Sequence, residues 1–334
     1  PGGRGAIVLA MADGRVVRSV DLPPVERRLA VEGRCILAVE PGEERGAGAR
    51  AGEAPGRGRG QRVRLELHDP VDGRVTSFGD FAAESRAAPA GAGRLAVVEP
   101  SGALTLLDMA GHREAFRTRL TDMPGGLELL QVLPWRDRYL VLVGRAETPE
   151  EQREIERLGV VTPLPGMPGR DMPQLVTGSL WAVGRDDGAM LWPVPATILR
   201  HSLQHHAAPE LPVLLFARTI QATRDPERPR LSVLCLDKRT GHAVHVDDRF
   251  NGRSTSRGDF LAVGCGMSGD PEGHTISLTQ GRRDGADVLL EFTGGPVAPR
   301  PPFQAAAARS TATVDPLVEI EYWIKKALNW PMPF

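Results

Sequence analysis

Lysine is nearly missing from this chain: of its 41 basic residues only Lys238, Lys325 and Lys326 are lysines, and the rest are arginines. With 42 acidic residues the formal net charge is -1, so no long-range field draws the molecule toward nucleic acid or an anionic membrane. No nucleic-acid partner is expected. The preference for arginine, with abundant alanine, glycine and proline, reflects a GC-rich bacterial coding sequence. Cysteine is also scarce. Cys35, Cys235 and Cys265 are far apart, odd in number and form no CxxC pair, which argues against a disulfide framework or a zinc knuckle. They read as buried free thiols. No apolar run approaches the ~18 residues of a membrane-spanning helix. A GxSxG elbow, a Walker-type loop and any recognisable nucleophile–base pair are missing too, so no catalytic residue is expected.

What is present is a packed chain. Hydrophobic residues make up 41% and charged residues 25%, which excludes wholesale disorder. A length of 334 residues suits two average domains or one large all-β domain. The chain starts at Pro1 and enters the strand-like run AIVLAM at once, which points to a processed or truncated product.

A short apolar or alternating run, a Gly-bearing turn and a second such run recur five times, and each copy reads as a β-hairpin. The turns fall at Asp13–Gly14, Asp72–Gly73, Ser101–Gly102, Asp187–Gly188 and Thr240–Gly241. Further strands are expected at 127–133, 138–143, 211–217, 259–263, 274–279 and 288–292. Two hairpins per unit give four-stranded antiparallel sheets, which bury both faces only by stacking. At ~40 to 45 residues per blade the length admits seven, and insertions leave material for about five or six.

Those insertions, near 41–61, 82–93 and 294–313, are too poor in large apolar residues to order themselves. PEEQREIERL, Pro149 to Leu158, has the composition of a short surface helix with an acidic first turn. Near the C-terminus, Val314, Leu317, Val318, Glu321, Tyr322, Ile324, Ala327 and Leu328 recur at spacings of three and four, which predicts an amphipathic helix ending near Asn329. Residues 1–313 thus read as the β domain and 314–334 as a helix and tail. Leu317, Tyr322, Trp323 and Trp330 are its candidate partner contacts.

The hairpin around Gly188 resembles the repeat of pyrroloquinoline-quinone-type propellers, roughly lyAlDaxtGxxxW, through Leu180, Trp181, Ala182, Asp187, Gly188 and Trp192. The copy around Gly241 is similar through Leu234, Leu236, Asp237, Thr240 and Gly241, with Val244 or His245 where the terminal Trp would be. The structural repeat positions are therefore Asp187, Gly188, Trp192, Asp237 and Gly241. The resemblance implies a β-propeller, or part of one, in which the terminal Trp docks between neighbouring blades. Quinoprotein dehydrogenases of that family carry adjacent disulfide-bonded cysteines, which this chain lacks, so no cofactor is expected. The likeness then favours the non-enzymatic BamB-like branch and an extracytoplasmic location, periplasmic or envelope-associated.

Three local patterns compete with this reading. GCGMSG, Gly264 to Gly269, fits GxGxxG, but Pro271 and Gly273 oppose the helix a dinucleotide needs, so it reads as a loop between strands. His201, His205, His206, His242 and His245 lack an acid or Cys at ligand spacing, and ILRHSLQHHAAPELP reads as a solvated loop. Asp186 with Asp187 and Asp247 with Asp248 read as turn residues. The expectation is a non-catalytic scaffold for protein–protein interaction, with a quinone- or metal-dependent oxidoreductase and a receptor's extracytoplasmic sensor as alternatives.

Overall fold

The computed structural model describes residues 5–9, 13, 15–22, 27–31, 34–39, 62–70, 72–123, 125–163, 174–204, 210–222, 225–250, 265–270, 272–280, 288–291, 301–305 and 324–325. The chain divides into two compact units, Pro1–Pro134 with Arg185–Ala189, and Trp135–Gly184 with Met190–Phe334. Among the described residues the elements are one helix and antiparallel strands, most of the strands in four-stranded sheets of the propeller type.

In the first unit, β1 (Gly5–Leu9) pairs with β2 (Val16–Asp21) as the first expected hairpin. Then β3 (Arg27–Val31), β4 (Arg34–Val39), β5 (Arg62–His68) and β6 (Val75–Ala82) form one sheet in chain order. A second holds β7 (Arg86–Pro89), β8 (Arg94–Val98), β9 (Ala103–Asp108) and β10 (Arg113–Arg119) in the same way. Neighbours in sequence are neighbours in space, the connectivity of a propeller blade. Inner strands β8 and β9 are buried along most of their length, because residues of both parities are apolar and both faces are covered. The two sheets share a core of Ile36, Leu65, Leu67, Phe81, Leu95, Val97, Leu107 and Met109. Burial of each large aliphatic side chain there contributes about 1.5–3 kcal/mol.

Composition alone leaves residues 82–93 without a reason to order, yet β7 lies within them. Its backbone completes the ladder along β8, and Ala88 and Ala90 are small enough to be buried beside it. The backbone hydrogen bonds offset what the side chains lack. The insertion at 41–61 lies outside the described residues. Strand β11 (Leu129–Trp135) reaches the unit boundary.

In the second unit, β12 (Arg138–Gly144) precedes helix α1 (Pro149–Leu158), which has the bounds expected from its composition. Thr148 caps it: its hydroxyl accepts from the Glu151 amide while Glu151 accepts from the Thr148 amide, a capping box. Arg145 holds the Glu151 carboxyl below its usual value through a paired contact at 2.6 and 2.7 Å. On the inner side, Ile155 packs with Val161, Leu199 and Ile220.

The strands β13 (Val160–Pro163), β14 (Leu175–Gly184), β15 (Ala196–Leu203), β16 (Val213–Ala222), β17 (Asp225–Asp237) and β18 (Ala243–Phe250) follow. They run β12-β14-β15-β16-β17-β18, with β13 added to β16. The return arm of the Gly188 hairpin is short, a bridge from Val183 to Met190, and the chain rejoins the β14 edge as β15. Because β15 then pairs with β16 only at Ser202 and Leu203, one strand ends one blade-like sheet and begins the next.

Several expectations are corrected here. The histidine-rich stretch is not a solvated loop at its start: His201 is buried within β15, its Nδ1 against the Leu199 carbonyl at 2.8 Å and its Nε2 against Ser232 Oγ at 3.1 Å. Most of GCGMSG is not a loop either. Cys265–Asp270 is strand β19, paired antiparallel with β20 (Thr275–Gln280), so it is engaged in a ladder and is not a phosphate-binding turn. Asp247 and Asp248 lie in β18, where the ladder with β17 overrides their turn preference. β21 (Val288–Glu291) continues the last sheet, and Ile324–Lys325 adds β22 to its edge. At those two residues a strand replaces the expected helix, since an open edge offers partners that a helical turn does not. The rest of that helix, with Leu317, Tyr322, Trp323 and Trp330, lies outside the described residues, as does the strand expected at 259–263.

Gly178 faces Gly144 across the β12–β14 ladder, and a Cβ there would collide with the Val143 carbonyl oxygen. Gly178→Ala should cost about 3 kcal/mol by overpacking, read as a lower midpoint in urea denaturation.

Candidate docking site

One contact recurs between turns. A side chain on the return arm of one hairpin packs on the turn glycine of a later hairpin, filling the space a Cβ would need. In the first unit, a Cβ on Gly73 would meet Arg18 Nη1 at 2.5 Å, and one on Gly188 would meet Phe116 Cδ2 at 2.5 Å. In the second, a Cβ on Gly241 would meet Trp192 Cε3 at 2.8 Å. Gly188 and Gly241 have φ of 71° and 74°, the left-handed conformation that a side chain disfavours. Phe116 is the fourth residue after His112, the left-handed residue of its own turn (φ 50°), as Trp192 is the fourth after Gly188.

Trp192 is 2% exposed and donates from Nε1 to the Arg239 carbonyl at 2.9 Å. Asp237 shapes the turn it sits on: its carbonyl accepts from the Gly241 amide at 2.8 Å, and its carboxylate takes the Arg239 amide at 2.7 Å and the Arg239 guanidinium at 2.8 Å. Asp187 occupies a different place, one residue before its glycine, with Oδ1 accepting from the Ala189 amide at 2.9 Å. The counterpart of Asp237 in the first unit is Asp69, whose carbonyl accepts from the Gly73 amide at 2.8 Å. Sequence reading missed Asp69 and Phe116. The shared Asp-x-x-x-Gly spacing would have found Asp69; Phe116 follows the left-handed His112, where no glycine marks the turn.

Beside this turn in the second unit lies a cluster of cations, of which Arg136 is the exposed member. Arg136, Arg138 and Lys238 place their charges 4.9, 5.5 and 5.6 Å from the centre of the Trp135 ring. The ring is buried and its Nε1 donates to the Glu210 carbonyl at 3.4 Å. Arg138 bridges to the Arg239 carbonyl at 3.0 Å, so the turn that receives Trp192 is held from two sides. Arg138 also pairs with Asp137 at 2.9 Å, keeping that carboxyl below its ordinary value. Burial pushes the Lys238 ammonium down to about 8, opposed by Glu210 and aided by the charge of Arg136. Arg136 itself is exposed, with φ at 50°.

Among the described residues, one group could meet a metal ion: Asp69, Asp72 and His112 bring ligand atoms within 4.8 Å of one another. Asp69 already takes Arg34 Nε at 2.7 Å, and His112 Nδ1 lies 2.7 Å from Thr76 Oγ1. Each of these three side chains thus already has a hydrogen-bond or ion-pair partner, Asp72 through the Arg74 amide. Cys235 is buried and forms no disulfide. No helix among the described residues is long and apolar enough to cross a membrane.

No protein family and no curated protein matches the chain. Solved structures match distantly. BamB from Moraxella catarrhalis is 11% identical, with 89% of this chain and 67% of that chain covered at a TM-score of 0.29. The Swd1 β-propeller domain of Myceliophteria thermophila is 10% identical, with 83% and 74% covered at 0.33. A europium-containing methanol dehydrogenase is 12% identical, with 79% of this chain but only 48% of that chain covered at 0.34. At such distances no residue role transfers. The class rests on the strands and their pairing: an all-β chain of propeller-type sheets.

Trp192→Ala should cost about 3–5 kcal/mol in urea denaturation, because it removes the buried ring and leaves a cavity over Gly241. A second expectation concerns pH. Between about 8 and the usual value of 10.5 the unfolded chain keeps Lys238 protonated while the folded protein does not, so stability rises with pH across that window. The rise is on the order of 2–3 kcal/mol, and Lys238→Met should flatten it in urea titrations at pH 7.5 and 10.5.

Proposed function

We propose that this chain is a non-catalytic scaffold that docks a protein partner, as a subunit of a larger assembly, through the turn surface around Trp135. The observation that supports this is the convergence of Arg136, Arg138 and Lys238 on one indole ring, with Arg136 exposed at the rim. Cations backed by a buried aromatic suit an acidic segment, and aromatic and Arg residues are the commonest anchors of interfaces. Hairpin sheets hold the turns rigid while the turns carry the contacts. The resemblance to BamB-like propellers supports an extracytoplasmic setting for the same role.

The competing reading is a quinone- or metal-dependent oxidoreductase, which the grouping of Asp69, Asp72 and His112 favours. It requires near-stoichiometric cofactor. An absorption spectrum and metal analysis of the purified native protein separate the two, and bound quinone or metal with turnover would overturn the scaffold proposal. For the scaffold, a protein captured by the immobilised chain should re-form a stoichiometric complex when purified. Arg136→Glu should weaken that complex by about tenfold or more in calorimetry, since a reversed charge turns attraction into repulsion. Equal affinity would remove the Trp135 surface from the interface.

A further inference from the structure

Residues 301–305, Pro-Pro-Phe-Gln-Ala, belong to a stretch whose composition gives it no core of its own, yet they lie fastened to the second unit. The seat is a strand edge. β15 pairs with β14 on one side through Thr197 and Ile198, but on its other side β16 takes up only Ser202 and Leu203. The first half of β15 would leave that edge open, a template for an incoming backbone.

Residues 301–305 fill it. The Phe303 carbonyl accepts from the Thr197 amide at 2.8 Å, and the Phe303 amide donates to the Gly241 carbonyl at 2.9 Å. The Ala305 amide donates to Thr197 Oγ1 at 2.6 Å, and Gln304 Nε2 donates to the Pro195 carbonyl at 2.7 Å. Pro302 is buried against the face of Gly241 that Trp192 also covers. Main-chain bonds to an edge set the direction of the occupant, and a proline beside an indole selects its side chains. Those are the two halves of extended-peptide recognition.

We infer that the slot between Trp192, Pro195, Thr197 and Gly241 is a recognition site for an extended Pro-Pro-aromatic-Gln segment of a partner protein, which this chain's residues 301–305 occupy in cis. The inference deepens the docking reading and rests on it, since it names the kind of segment that docks. Proline lowers the entropy lost on ordering such a segment, and it carries no N–H to leave unsatisfied. The cis segment acts as a tethered competitor, so partner binding and release of residues 301–305 are linked.

The probe is a fluorescein-labelled peptide with the sequence of residues 298–306, followed by anisotropy against two full-length proteins: the intact chain, and a variant in which residues 301–305 become Gly-Ser-Gly-Ser-Gly. The peptide should bind the variant about tenfold more tightly than the intact chain, because the tethered segment competes at a high effective concentration. A peptide with its two adjacent prolines and its phenylalanine replaced by Gly, Gly and Asp should not bind. Should the variant fail to fold, hydrogen exchange on the intact chain decides the matter. Saturating peptide should accelerate exchange of the Phe303 amide and leave the Thr197 amide protected, since the incoming carbonyl replaces the outgoing one. Equal affinity for both proteins, binding of the control peptide, or unchanged Phe303 exchange at saturating peptide concentrations would overturn the inference. Such a failure would leave the Trp135 surface untouched, because Arg136→Glu tests that surface on residues outside the slot.

Discussion

A flat ring or guanidinium lying on a turn glycine is the contact on which the architecture leans. Four-stranded sheets made of neighbouring hairpins have no sequence-distant strand to knit them together, so something must tie one hairpin to a later one. Arg18 on Gly73, Phe116 on Gly188 and Trp192 on Gly241 do so, each within its own unit. The seat has to be glycine for two independent reasons. The turn takes a left-handed φ, and the space where a Cβ would stand is already occupied.

The same contact organises the candidate site. The turn from Asp237 to Gly241 is held by Trp192 and Arg138 through a single carbonyl, that of Arg239, and it presents Lys238 to the Trp135 ring. It also offers the Gly241 carbonyl to residues 301–305. A packing glycine, a cation cluster and a peptide seat thus share five residues of backbone. Rigidity there comes from hydrogen bonds to backbone carbonyls, which depend little on which side chains the turn exposes.

Much of this was legible beforehand. Hairpins show in sequence because alternation and a turn residue are local signals, and α1 showed because capping and charge bias are local as well. What misled was composition applied to segments that borrow their order. The backbone of residues 86–89 pairs with a strand already in place, and residues 301–305 complete an edge that β16 leaves open. GCGMSG and the stretch around His201 looked like loops because glycine and histidine are poor strand formers, yet a waiting partner strand outweighs that preference.

The sequence by itself determined the all-β class and the positions of most turns, because each depends on neighbours only a few residues away. Only the tertiary structure decided that Phe116 plays the same part as Trp192, that Lys238 and two arginines meet over Trp135, and that residues 301–305 lie on β15. Those relations join residues from about 70 to more than 100 positions apart. No local preference encodes them; they arise when sheets stack and bring turns of separate hairpins to the same place.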